Sequence, residues 1–453
     1  MSAETSEKNW GTMTDQDGVV FGESEISRRE VLKGASAGVA ASLAATLLSG
    51  CAPGPPASRG APETAAARLS PAAMPQGFSR EEMQRRWQRV REQMRERRFD
   101  CLLVPERADG NADVKYLTER SAAWVVFPYE GKVTAIGEGD GGGSPGEDIQ
   151  MRAAAEGLWS KAVMDTLREL GMTQARIGVG NLVNVLRNPE GGVNFTTLDR
   201  VRKGLPRAAF EPAVDLLMRV KLVRSPEEIE VLEKATEVSE AGLQAMLEKA
   251  RPGVRHREVW LHIFQAMANA SGELPTRLAI RAGAEANTSQ GRPLDEILKP
   301  GQILNQELSG TVLGYGSQVN HSVCVGTPAP ADWASAAPYC RDLFQSLAAW
   351  IAPGKSFQDF LAFYRKKVEE RGEGRWGVVF HSGGAGDGPR WGPTRTEGMD
   401  LSLAAGMVFT IKPRVPIRGV AAPAAQFGDA VVVTENGARR LGKRKLEIIN
   451  LGT

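Results

Sequence analysis

Met218-Arg-Val-Lys-Leu-Val-Arg-Ser-Pro-Glu-Glu-Ile-Glu230 is the stretch on which the fold turns. The Ser225 hydroxyl can accept from the first free backbone N–H groups of a helix. Pro226 has φ preset for a first helical residue, and Glu228 sets a carboxylate against the positive end of the helix dipole. Together they predict a helix from 226 to about Lys249, with Ile229, Leu232, Val238, Leu243 and Met246 on its buried side. A second helix, 257–271, follows the turn at Pro252-Gly253. Beyond it the pattern shortens to β runs at 277–282, 302–309, 318–325, 375–380, 407–411 and 430–433, with helices at 334–351 and 356–371 between them. Upstream, Ser79 and Glu82 form a capping box for a helix over 80–98, with Met83, Trp87, Val90 and Met94 on one face. Strands at 101–104, 123–127, 132–136 and 176–179 alternate with helices at 148–171 and 197–203. The expectation is an α/β domain over 78–217 followed by an α+β domain over 218–453.

The chain has 453 residues, 42% of them hydrophobic and 24% charged, a balance that can bury a core and excludes global disorder. Four cysteines rule out a disulfide framework and supply no paired zinc knuckle. The net charge is only +2, with no dense basic stripe or interleaved aromatics, so nucleic acid is not an expected partner. The glycine-dense 137–146 segment lacks the strand–glycine–helix context of a dinucleotide loop and reads as a surface loop.

The first 50 residues read as an address. Ser27-Arg28-Arg29-Glu30-Val31-Leu32-Lys33 resembles the twin-arginine export signal, and the weakly apolar run behind it closes on Leu48-Ser49-Gly50-Cys51, which resembles a lipobox. The resemblance implies cleavage before Cys51, lipidation of that cysteine, and a membrane-anchored protein facing the periplasm or the extracellular side. Residues 51–77, rich in Pro and Ala, read as a tether without structure of its own.

A set of landmarks carries a second resemblance. These are Lys221-x-x-Arg-Ser-Pro-Glu-Glu-Ile-Glu230, Lys299-Pro-Gly301, Glu307-x-Ser-Gly310, Gly314-Tyr-Gly-Ser317, His381-Ser-Gly-Gly-Ala-Gly386, Gly406-Met-Val-Phe-Thr-Ile-Lys-Pro413 and Val432-Val-Thr-Glu-Asn-Gly437. In order and spacing they resemble the creatinase, prolidase and aminopeptidase P family, over roughly residues 80–453. The resemblance implies a creatinase-like α/β N-terminal domain and a pita-bread catalytic domain. It also implies two divalent metals held by two Asp, one His and two Glu, with a bridged water as nucleophile.

Carried over one at a time, those ligand positions fall on Glu307, Gln318, His381, Lys412 and Gly428, with Asp429 one step from the last. One is identical and one is a longer carboxylate; a neutral amide, an ammonium and a glycine replace the others. An ammonium among the donors would repel both ions, so no metal and no other cofactor is expected; the Lys412 ammonium near Glu307 is expected instead to stand in for metal charge and hold the folded site together. Creatinase works without metal through a histidine in the loop that here spans 282–291, and the position falls on about Gln290. The histidines of this chain are at 256, 262, 321 and 381.

The leading expectation is an exported lipoprotein homologue with a degenerate dinuclear site and no metallopeptidase activity. One alternative is a metal-free, creatinase-like hydrolase or lyase, acting on a small nitrogenous or peptide-like substrate, with His381 and Glu307 as catalytic residues. In that case Lys412, Arg390, Trp391 and His321 would line the substrate, with Arg414 also available to an anionic group. An active Xaa-Pro aminopeptidase is the other alternative. Expected partners are the membrane, through lipid on Cys51, and a small-molecule or peptide ligand. The resemblance is also compatible with a homodimer.

Overall fold

The structure, a computed structural model, describes residues 69–106, 112–137, 148–154, 157–182, 192–282, 293–371, 377–382, 390–391, 401–418 and 424–452. They belong to one compact unit that begins at Glu63. Arg28, Arg29, Cys51, Gln290 and the 383–388 glycine run lie outside the described residues.

In the N-terminal half, helix α1 (Arg80–Arg97) begins where the Ser79 side chain accepts from the Glu82 N–H at 3.1 Å. Its apolar face, with Met83, Trp87, Val90 and Met94 all buried, covers a six-stranded sheet. The strands are β1 (Cys101–Pro105), β2 (Trp124–Pro128), β3 (Val133–Gly137), β4 (Ile149–Ala153), β5 (Arg176–Val179) and β6 (Ala209–Pro212), in the order β4-β3-β2-β1-β5-β6. The helices are α2 (Ala112–Thr118), α3 (Trp159–Glu169), α4 (Phe195–Gly204) and α5 (Val214–Leu222). The single helix expected over 148–171 is a strand followed by a helix: β4 pairs in parallel with β3, so its backbone bonds go to the sheet edge. The tether expectation also needs correction, because Pro71–Ala73 forms a 3₁₀ turn and Met74 is buried in the C-terminal core, with Leu69 packed against it.

The C-terminal half is built on a ten-stranded sheet. Its strands are β7 (Arg277–Ala282), β8 (Gln302–Val312), β9 (Tyr315–His321), β10 (Val323–Val325), β11 (Gly377–Ser382), β12 (Arg390–Trp391), β13 (Val408–Val415), β14 (Ala425–Thr434), β15 (Gly437–Arg440) and β16 (Ile449–Leu451). The main order is β12-β11-β13-β14-β9-β8-β10-β16, with β15 on β14 and β7 on β8. Helices α6 (Pro226–Lys249) and α7 (His256–Ser271) share one core with β7, β8 and β9, while α8 (Trp333–Trp350) and α9 (Phe357–Arg371) share another with β11, β13 and β14. The capping box forms as the sequence demands: the Ser225 side chain accepts from the Glu228 N–H and the Glu228 side chain accepts from the Ser225 N–H, each at 3.0 Å. Gly310 lets α6 lie directly on β8, since a Cβ there would stand 2.6 Å from the Ala235 carbonyl oxygen.

The expected boundary at 217/218 falls inside α5, whose Leu216, Leu217 and Val220 belong to the N-terminal core while Leu222 belongs to the α8–α9 core. A buried polar junction lies beside it. The Glu228 carboxylate, fully enclosed, accepts from Arg85 at 2.7 Å, Arg224 at 3.2 Å and the Tyr315 hydroxyl at 2.8 Å. Burial pushes its carboxyl up, but Arg224 and Arg86 outweigh that and hold it below the usual range. The Arg86 guanidinium stacks over Phe78 at 3.8 Å, filling the space between the two halves.

Candidate functional site

Strand register alone assembles the site. In antiparallel pairs, directly opposed residues share a face and successive residues alternate. Lys412 lies opposite Val379; Gly428 lies opposite Asn320; Glu307 lies opposite Ala279. Because β13, β14, β9 and β8 are consecutive neighbours, Lys412, Gly428, Asn320 and Glu307 form one row across the sheet. A parallel row carries His381 and Thr410, then Gln318, Ser309 and Arg277. On the other side Arg414 and Gln426 are opposed, as are Arg281 and Asn305.

Strands are roughly 4.8 Å apart, so Lys412 must span two of them to reach Glu307. It does so across Gly428, where a Cβ would stand 2.9 Å from Lys412 Cβ, 2.8 Å from the Ile411 carbonyl oxygen and 3.2 Å from Asn320 Oδ1. The lysine and the glycine, at two of the five implied ligand positions, are therefore sterically matched. Lys412 Nζ donates to Glu307 Oε1 at 3.4 Å, and Arg414 Nη2 donates to the same oxygen at 3.2 Å. Arg277 Nη2 is 3.3 Å from Glu307 Oε2. Burial raises the Glu307 carboxyl, but Lys412, Arg281, Arg277 and Arg414 together pull it down to about 2. It is an anion at any physiological pH.

His381, half-buried at the end of β11, places Nε2 3.1 Å from Gln318 Oε1. Its partner is thus the amide, while both Glu307 oxygens face cations. Arg390 and Trp391 form β12, with Arg390 opposite His381 and Trp391 opposite Phe380 in the ladder. The other two named residues lie away from the cluster. Asp429 faces the opposite side of β14, fully buried, and accepts from Arg444 Nη1 at 2.6 Å with Arg440 Nε at 3.4 Å. Its carboxyl is pushed up by burial against the pull of those two arginines. His321 also points to that side, stacked on Phe427 at 4.8 Å with Nε2 2.8 Å from the Glu447 carbonyl oxygen.

Sequence reasoning missed Arg277 and Arg281. The available signal was their spacing: positions 277, 279 and 281 share a face of a strand, and Ala279 is opposite Glu307.

These residues do not fit two divalent metals. Glu307 and His381 are the two remaining donors of the usual kind, the carboxylate is already paired with an ammonium, and Gly428 has no space for a side chain. Among the described residues no three His, Cys, Asp or Glu side chains group so as to hold a metal ion.

Comparison with known proteins agrees with the architecture. Residues 230–435 match the family model of metallopeptidase family M24. The chain is 26% identical to the Xaa-Pro dipeptidase of Pyrococcus furiosus over 271 residues, 57% of this chain and 74% of that protein. It is 23% identical to the creatinase of Bacillus sp. (strain B-0618) over 393 residues, 81% of this chain and 92% of that one. Among solved structures it resembles an Xaa-Pro dipeptidase from Bacillus anthracis, with a TM-score of 0.66 at 17% identity, covering 82% of this chain and all of the other. The X-Pro aminopeptidase from Thermotoga maritima gives 0.65 at 16% identity, covering 79% and 99%. The C-terminal half of this chain thus resembles metallopeptidase family M24 over residues 230–435 and carries the pita-bread fold.

Proposed function

We propose that this protein is an M24 homologue in which an internal ion-pair cluster has replaced the dinuclear metal site, so that it binds a small ligand and has no metallopeptidase activity. The observation that carries the reading is Lys412 Nζ 3.4 Å from Glu307, reached across a glycine that admits no Cβ. A metal ion would have to displace the ammonium, leaving a buried cation without its carboxylate, at a cost of several kcal/mol. The reading includes export by the twin-arginine route, on Arg28 and Arg29, and a lipid anchor on Cys51. It is supported by the sequence pattern of those segments.

The experiment is elemental analysis of the purified full chain, before and after incubation with manganese, cobalt and zinc, alongside turnover of Xaa-Pro and other dipeptides. The expected result is sub-stoichiometric metal and no metal-dependent turnover. Two ions per chain with peptide hydrolysis would overturn it. A second reading, a metal-free hydrolase, is favoured by His381, half-buried at the end of β11 with Nε2 3.1 Å from Gln318 Oε1. It requires turnover that survives chelators and is lost in His381→Ala.

A further inference from the structure

We infer that the outer face of α7, with Leu274 in the turn that follows it, lies against a phospholipid bilayer; this rests on the lipid-anchor reading above. Apolar side chains scattered singly over a surface mean little, whereas a cluster marks a contact. Among the described residues the exposed large hydrophobics are Leu170, Phe195, Leu261, Leu274 and Ile297, and three of these five lie on α7 or at its ends. Leu261 is 51% exposed on the helix and Leu274 is 70% exposed in the turn to β7. Ile297 bridges to Arg255, the residue before the first turn of α7.

Helix periodicity turns these residues into a stripe. Val259, Ile263, Met267 and Ala270 point into the core. With about 3.6 residues per turn, the opposite arc carries Arg257, Trp260, Leu261, Phe264 and Ala268. The Trp260 and Phe264 rings stack at 5.5 Å and are only half-buried. Trp260 Nε1 donates to the Leu278 carbonyl at 3.4 Å, so the one polar atom of the indole is met within the protein. A helix with Trp, Leu and Phe on one face suits the boundary between headgroups and acyl chains. No helix among the described residues is long and apolar enough to cross a membrane, so this contact is one of surface with surface.

The point at which the chain enters the fold indicates what covers the stripe. The 3₁₀ turn at Pro71–Ala73 sits at the C-terminal end of α7, where a Cβ on Gly272 would stand 3.3 Å from Pro71 Cβ. Leu69 packs against the same core. Residues 52–68 separate it from Cys51, and a chain of that length spans at most about 65 Å. A lipid on Cys51 therefore draws the bilayer towards this end of α7, and a contact made after anchoring is intramolecular, so a small apolar face suffices. Residues 52–68 contain no Val, Ile, Leu, Met, Phe, Trp or Tyr, and so have no large apolar side chains with which to cover the stripe themselves.

The test returns the mature lipidated chain, purified from membranes, to phosphatidylcholine vesicles with and without phosphatidylcholine brominated in its acyl chains. Cys101, Cys324 and Cys340 are buried, so a fluorophore attached through Leu274→Cys or Leu261→Cys reports on that position. Phe195→Cys is the control, since Phe195 is exposed on α4, which packs on the face of the six-stranded sheet away from α1. In floated vesicles the labels at 274 and 261 should shift to the blue and lose emission to the brominated lipid, while the label at 195 does neither. Equal responses at 274 and 195, or no response at either in vesicles that carry the protein, would overturn the bilayer face and leave the anchor standing. A blue shift at 274 without quenching would show that protein, such as a second copy of this chain, covers the stripe, and would overturn it as well. Protein that does not float with the vesicles would remove both the anchor and the face.

Discussion

Acidification from pH 7 to pH 5 should destabilise the fold through His321, and His321→Gln should remove that share of the loss. The Glu447 carbonyl can only accept, so the ring carries its proton on Nε2 and leaves Nδ1 bare, buried and without a partner. Burial first, then Arg444 and Arg440 nearby, pushes the ring from its ordinary 6.5 down to about 3, against the small pull of the Glu447 carbonyl. The folded ring therefore stays neutral through mild acid while the unfolded ring takes up a proton below 6.5. Since the unfolded state binds the extra proton, stability is full above pH 6.5 and is lost as pH falls towards 3. At 1.36 kcal/mol per unit, the drop from pH 7 to pH 5 costs about 2 kcal/mol through this one group. His256 adds to the loss in the same direction, because burial also lowers it, and it remains in the variant. Urea titrations at pH 7 and pH 5 measure both proteins. The wild type should lose about 2 kcal/mol more than His321→Gln between the two pH values. Equal losses would mean that the buried imidazole is not the group that titrates.

Two further outcomes follow from the geometry, and a third from the sequence around Cys51. Gly428→Ala should destabilise by about 1–3 kcal/mol, the range for overpacking, because the added methyl would stand 2.8 Å from the Ile411 carbonyl oxygen and 2.9 Å from Lys412 Cβ; a thermal midpoint equal to that of the wild type would refute it. Glu228→Gln should cost about 3–5 kcal/mol, because it removes the enclosed negative charge that Arg224, Arg85 and the Tyr315 hydroxyl share at the buried junction; an unchanged urea midpoint would refute it. Cys51→Ala should move the exported protein from the membrane to the soluble fraction, read by fractionation of expressing cells; the same membrane share in both would exclude a lipid anchor there.

Much of the fold was legible because its signals are local. The Ser225-Pro226 start and the α1 face follow from capping chemistry and side-chain periodicity, and the C-terminal strands were placed but not bounded: the 318–325 run divides into β9 and β10, and 430–433 is only the end of β14. What escaped depended on neighbours. Ile149–Ala153 is too short for its alternation to compete with the helical signal after it, and only pairing with β3 makes it a strand. Residues 69–77 read as tether by composition, yet Met74 finds an apolar pocket against α7 and its partners. At the site, the five ligand positions were visible one by one. A Lys412 ammonium beside Glu307 could be read from those positions; its path across Gly428 could not, since the contact depends on three ladders being in register. The same holds for Arg277 and Arg281, whose charge is plain in sequence but whose facing strand is not.

Helix α5 gives its apolar residues to both halves of the molecule at once. Any cut between residues 214 and 222 would tear one hydrophobic seam and leave each piece with a raw greasy edge, so neither half can be harvested as a free-standing module. This short helix is thus the rivet that joins the pita-bread sheet to the smaller α/β half.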